Sequence, residues 1–214
     1  MGAIKKQLQN MYWRTFPHYM LRVYRAYKRG EAVPVPHKLK INTIREYLQR
    51  FDIRTIIETG TYRGDTIAAT VDLLDRAYSI ELSGELASKA QVRFVNDARV
   101  EILQGNSATV LPTILERVDS PVLFWLDAHY STGITAGGDA DAPILKELDT
   151  ILGHSVNDHL ILIDDAREFT GKNGYPTIET VLDFVRSRNP ELRVLAYNDI
   201  IRIWQPKQDA QEVQ

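Results

Sequence analysis

A chain of 214 residues, 44% hydrophobic and 25% charged, has the composition of an ordinary globular protein and can bury a sizeable core within one domain. It contains no cysteine, which excludes disulfide staples, thiolate-ligated zinc and cysteine nucleophiles, and no apolar run near the ~20 residues that cross a bilayer. The net charge of −2 hides a division: residues 1 to 40 hold nine basic side chains against Glu31 alone, a balance of +8, and the rest holds 17 basic and 27 acidic, a balance of −10.

The start, Met1-Gly2-Ala3-Ile4-Lys5-Lys6, lacks the apolar core of a signal peptide, and Gly2 has no Ser or Thr at the sixth position for acylation, so a cytoplasmic location is expected. Residues 1–36 read as a basic arm and hinge. Leu8, Tyr12, Tyr19, Val23 and Tyr27 fall at near-helical spacing, with Pro17 interrupting, and Val33-Pro34-Val35-Pro36 is extended. Such an arm suits a lid or homodimer contact over the acidic remainder, or a peripheral foot on an anionic membrane; nucleic acid is not expected. Charge complementarity within the chain favours the first reading. Residues 37–206 form the main body, opened by an amphipathic helix with Ile41, Ile44, Tyr47, Leu48 and Phe51 on one face, and residues 207–214 are a polar tail.

The run Ile56-Ile57-Glu58-Thr59-Gly60-Thr61-Tyr62-Arg63-Gly64-Asp65-Thr66 predicts a buried parallel strand ending at Glu58, a tight turn through Gly60 and a helix from about Gly64. Gly60 lets the backbone approach a ligand closely. The spacing differs from the dinucleotide fingerprint, and the strand-end carboxylate suits a ligand bearing an ammonium group. A second strand, Ala77 to Ser83, carries Glu81, an acid placed to bond ribose hydroxyls. Val100 to Leu103 is a third, followed by Gln104-Gly105-Asn106-Ser107, where Asn106 and Ser107 can face an adenine ring or cap a helix. Pro121 to Leu126 leads into Asp127-Ala128-His129, and His159 to Ile163 leads into Asp164-Asp165. Helical patterns separate these strands. Leu192 to Tyr197 and Ile200 to Trp204, joined at Asn198-Asp199, are too close to be anything but an antiparallel hairpin. The expected fold is α/β: a Rossmann-like, doubly wound, mostly parallel seven-stranded sheet ending in that hairpin. Ligands of such sheets bind outside the carboxyl ends of the strands, where every polar residue just named stands.

The sequence ETGTYRGDT, SIELS, QGNS, FWLDAHYS and LIDDAREF, over roughly residues 54–170, resembles the class I S-adenosylmethionine-dependent methyltransferases. Within them it looks most like the metal-dependent O-methyltransferases of the catechol and macrocin type. The resemblance implies S-adenosylmethionine as cofactor, bound by Glu58, Thr59, Gly60, Thr61, Gly64, Glu81, Asn106, Ser107 and Asp127. It implies one Mg2+ or Mn2+ held by Asp127, Asp164 and Asp165. The segment after the fourth strand and the basic arm depart from that family, so the acceptor is not implied.

Three carboxylates without sulfur favour a hard cation, and a cation that lowers a hydroxyl's pKa favours acceptors with two neighbouring oxygens, such as a sugar or other diol. His129, two residues past Asp127, is placed to take the proton as general base, with Asp127 as its catalytic neighbour. The glycine-rich run Ser131 to Pro143 stands on the acceptor side and suits a closing segment. Two alternatives stay open: a metal-independent methyltransferase, for example one acting on nitrogen, and a non-catalytic nucleotide-binding module of the same fold.

Overall fold

The structure is a computed structural model and describes residues 35–127 and 143–206, together with Tyr24, Arg25, Lys28 and Val33. The chain divides into two units, Met1–Leu39 and Lys40–Gln214. In the first, Tyr24, Arg25 and Lys28 are helical, and the Lys28 ammonium lies 5.8 Å from the Tyr24 ring centroid. The second carries all the described strands.

Helix α1 (His37–Arg50) follows Pro36, whose fixed φ suits a helix start, and ends on Arg50, which complements the negative end of the helix dipole. Its apolar stripe buries Ile41, Ile44, Tyr47 and Leu48 as the spacing predicts. Then β1 (Thr55–Thr59), α2 (Asp65–Thr70), β2 (Arg76–Glu81), α3 (Gly84–Arg93), β3 (Val100–Gln104), α4 (Ser107–Leu115), β4 (Leu123–Leu126), α5 (Pro143–Leu152) and β5 (Leu160–Ile163) alternate along the chain. Helix α6 (Ile178–Arg188) precedes the hairpin of β6 (Arg193–Tyr197) and β7 (Ile200–Trp204). Sequence reading placed no element between β5 and the hairpin; α6 fills that gap, burying only Val181 and Val185.

The seven strands form one sheet in the order β3-β2-β1-β4-β5-β7-β6. The first five are parallel, β7 runs antiparallel to β5, and β6 antiparallel to β7. The expected doubly wound sheet with its terminal hairpin is therefore present. Alternation along each strand divides the core. Ile57, Ile80, Phe124, Leu126, Ile161 and Ile163 pack with Leu111 and Ile114 of α4, Leu148 and Ile151 of α5, and Val181 of α6. Ile56, Ala77, Leu123, Trp125, Leu160 and Leu162 pack on the other face with Ile44 and Leu48 of α1 and Ile67 of α2. Strands buried on both faces read as continuous apolar runs, as parallel strands do. At the hairpin tip Asn198 (φ 48°) and Asp199 (φ 62°) both adopt left-handed backbone, the turn whose twist matches paired strands.

Candidate active site

The strand register sets the site. Glu58 pairs across from Ser79, and Leu126 from Ile163, so the residues following β1, β2, β4 and β5 share one rim of the sheet. At β1 the chain leaves through Gly60 (φ 92°), whose N–H donates to the Ile80 carbonyl at 2.9 Å. A Cβ at Gly60 would stand 3.1 Å from the Asp127 Cβ, so the close approach here is to the neighbouring strand's aspartate. Gly64 (φ 74°) immediately precedes α2, and a Cβ there would meet the Phe94 ring at 2.6 Å. Both glycines are thus demanded by backbone conformation and by space.

Glu58 is 1% exposed and turned inward. It accepts from Ser79 Oγ at 2.5 Å; Ser79 in turn meets Thr61 Oγ1 at 2.6 Å, and the Thr66 hydroxyl faces the same carboxyl. Burial pushes Glu58 up to about 8 against those hydrogen bonds, with the negative charges of Asp127 and Glu81 adding to it. Near neutral pH this acid holds its proton unless a cation approaches. Glu81, at the end of β2, accepts the Tyr62 N–H at 2.8 Å on Oε2 and the Ser83 N–H at 2.9 Å on Oε1. The two amides fix the carboxylate and leave each oxygen a lone pair for an incoming hydroxyl. Thr59 and Thr61 are buried beside this turn. Asn106 caps α4, its side chain accepting from the Ala108 N–H at 2.9 Å, and Ser107 opens the helix. The capping role anticipated for this pair thus falls to Asn106.

Across the rim, Asp127, Asp164 and Asp165 each present an oxygen within 4.8 Å of the others. The acid cluster predicted from sequence is assembled. It is not left to repel itself. Lys40 of α1, 7% exposed, places its ammonium 2.5 Å from Asp164 Oδ1 and 2.6 Å from Asp165 Oδ1. The Arg167 guanidinium lies 2.6 Å from Asp165 Oδ1 and also pairs with Asp199 at the hairpin tip. Asp165 sits in left-handed backbone (φ 53°), and its N–H donates to Asp164 Oδ1 at 2.7 Å, a tight turn that aims both carboxylates inward. Burial opposes the charge on Lys40, but Asp164 and Asp165 outweigh it and hold its pKa above the ordinary lysine value. Burial also raises Asp164, and Asp165 and Asp127 raise it further against the pull of Lys40, because this corner holds more negative charge than positive.

Three site residues escaped sequence reading, yet two left a mark there. Lys40 stands four residues before Ile44 and seven before Tyr47, on the buried stripe of α1. Glu147 stands on the buried stripe of α5, between Ile144 and Ile151, and is 5% exposed. A charge on an apolar stripe signals a buried partner or ligand. Burial lifts Glu147 to about 7 against the nearby Ser107 and Thr59 hydroxyls, with Asp127 adding to the rise. Of these two, Thr59 Oγ1 completes no hydrogen bond of good geometry among the described residues, so Ser107 is the firmer partner. Asp199, the third, left no signal beyond its place in a predicted turn. His129, Tyr130 and the glycine-rich run, as far as residue 142, lie outside the described residues.

No protein-family model and no curated protein matches the sequence. Solved structures do match. An O-methyltransferase from Bacillus cereus in complex with SAH aligns with a TM-score of 0.56 at 13% identity, over 87% of this chain and 90% of that one. The O-methyltransferase TomG from Streptomyces achromogenes, in complex with SAM, aligns with a TM-score of 0.54 at 13% identity, over 87% and 89%. The fold is that of the class I methyltransferases. In that fold the Gly60 turn, Glu81 and the acidic corner lie along the carboxyl rim, where ligands of such sheets bind. A 23S rRNA methyltransferase, ErmE, shares the fold as well, with a TM-score of 0.50 at 16% identity over 80% and 69%. The methyltransferase fold alone therefore does not choose between a small molecule and RNA as acceptor.

Proposed function

We propose that this chain is an S-adenosylmethionine-dependent methyltransferase acting on a hydroxyl of a small molecule or glycan, of sugar or other diol type. The observation that carries this reading is the Glu81 carboxylate, fixed by two backbone amides beside the Gly60 turn, in a fold whose matched structures include SAM and SAH complexes. Glu81 takes the ribose hydroxyls, the turn Thr59-Gly60-Thr61 receives the aminoacyl end, and the buried acids Glu58 and Glu147 supply negative potential as they ionise on the approach of a donor that carries positive charge. The protein's part in the reaction is to hold sulfonium methyl and acceptor oxygen in line and to exclude water. His129 is the proposed proton acceptor.

The acceptor oxygen also needs a positive pole. The aspartate trio has the ligand type and spacing for a hard divalent cation, and magnesium or manganese bound there would lower the acceptor hydroxyl's pKa. Lys40 already bridges two of the three aspartates and favours the metal-independent alternative. Among the described residues no helix is long and apolar enough to cross a membrane. We place the protein in the cytoplasm and assign the basic arm, residues 1–36, to a lid or homodimer contact, with contact to an anionic membrane as the second reading.

Calorimetry tests the donor assignment. The native chain is expected to bind SAM and SAH, and Glu81→Ala to weaken binding by about 1.5–3 kcal/mol, the worth of a hydrogen bond to a charged group. Unchanged affinity in that variant, or tight NAD binding by the native chain, would remove the assignment.

A further inference from the structure

We infer that Lys40 is the resident cation of the acidic corner: its ammonium takes the place between Asp164 and Asp165 that the resemblance gives to a divalent ion, and the corner binds no magnesium or manganese while Lys40 stands there. The inference rests on reading this corner as the acceptor side of the site.

Three observations converge. The ammonium lies 2.5 Å from Asp164 Oδ1 and 2.6 Å from Asp165 Oδ1, with Asp199 Oδ2 at 4.0 Å, so Lys40 is bonded to the carboxylates after β5 and faces the one at the hairpin tip. A divalent ion ligated at about 2.0–2.6 Å by those same oxygens would stand against the ammonium, with like charges in contact. Lys40 has no easy way out, because α1 buries it on the stripe that carries Ile41 and Ile44 into the core. Arg167 Nη1 lies 2.6 Å from the same Asp165 Oδ1, so this aspartate already meets two cations. A buried lysine on an apolar stripe is costly unless its charge is matched, and these carboxylates match it.

The consequence concerns the acceptor. An ammonium has three N–H donors. Asp164 and Asp165 take two, Asp199 Oδ2 at 4.0 Å is beyond hydrogen-bond reach, and the third falls to a single acceptor oxygen in this inference. A chelating diol is then not required, since one hydroxyl suffices to engage Lys40, and neighbouring hydroxyls only add specificity.

Manganese binding to the full chain, dialysed against EDTA and with neither donor nor acceptor present, tests this by calorimetry and electron paramagnetic resonance. Wild type and Lys40→Arg are expected to show no ion bound at millimolar manganese. Lys40→Met is expected to bind one ion at least about tenfold more tightly and to melt at a higher temperature when manganese is added, and adding Asp164→Asn to it should abolish both effects. Micromolar, one-to-one binding by wild type, or binding by Lys40→Met no tighter than by wild type, overturns the inference. Should Lys40→Met fail to fold, titrations of wild type and Lys40→Arg decide: tight binding by either overturns it, and none by both sustains it. SAM binding by the wild-type sample is measured separately, so loss of the donor assignment and loss of this inference are distinguishable.

Discussion

At the scale of single residues, the site is built from groups whose conformation or charge would be costly elsewhere. Gly60 combines φ 92° with a Cβ position 3.1 Å from Asp127. Gly60→Ala is expected to lower stability by about 1–3 kcal/mol in thermal melts and to weaken SAM binding at the same time, because the strained turn and the donor share this backbone. Glu58 gives a pH signature with a definite sign. Its folded pKa, about 8, lies above its unfolded value of 4.5, so its contribution to stability is present below pH 4.5 and is lost as pH rises towards 8. Glu58→Gln keeps the shape without the titration. It should therefore match wild type near pH 4.5 and exceed it by about 1–3 kcal/mol at pH 8, both measured without donor. Equal pH dependence in the two proteins would show that Glu58 does not hold its proton in the fold. The residues best legible in the sequence were those with strong local rules: Gly60 and Gly64 as turn glycines, Glu81 as a strand-end acid, Asn106 as a cap. Glu147 and Lys40 were hidden because each is one charged residue within an apolar stripe, and what it meets is fixed only when distant strands come into register.

At the scale of elements, short-range pattern was enough for the sheet and too little for its corners. Buried parallel strands announce themselves as apolar runs, and Asn198-Asp199 announces a hairpin tip. What no local pattern could announce is that Asp199 accepts the Arg167 N–H at 3.0 Å and pairs with its guanidinium, fastening the hairpin to the segment after β5. Asp199→Ala removes that partner and a residue tolerant of left-handed backbone, so it should cost about 1–3 kcal/mol; Asp199→Asn, which keeps the conformational tolerance, should cost less. Two histidines without any sequence pattern prove structural. The Val122 N–H donates to His159 Nδ1 at 3.1 Å, which leaves Nε2–H of His159 to donate to His154 Nδ1 at 3.0 Å and Nε2–H of His154 to donate to the Leu115 carbonyl at 3.1 Å. This chain ties the starts of β4 and β5 to the end of α4. Burial, with His154 adding, pushes His159 down to about 4, against the smaller opposing pull of Asp158. The unfolded chain takes up this proton below about 6.5 and the folded one does not. Stability is therefore whole above 6.5 and falls as pH drops towards 4, by at most ~3 kcal/mol. His159→Gln should flatten that part of the pH–stability curve.

At the scale of the molecule, charge is divided as the composition stated, with a basic arm and an acidic body. If residues 1–33 are a lid or dimer contact, deleting them should change donor affinity or sedimentation; if they are a membrane foot, only binding to anionic vesicles at low salt should go. A monomeric deletion variant with native donor affinity, from a monomeric parent, would exclude the first role. The order β3-β2-β1-β4-β5-β7-β6 has a consequence for how the protein is made. A ribosome delivers Lys40 well before Asp199, and until β7 arrives one flank of β5 lacks its neighbour. Native pairing here is strongly non-local, so until then the nascent chain holds an apolar strand open to other chains. Translation that stops before Ile200 should leave a polypeptide that clumps rather than folds, and the acidic corner with its lysine becomes complete only when the last hairpin closes on the sheet.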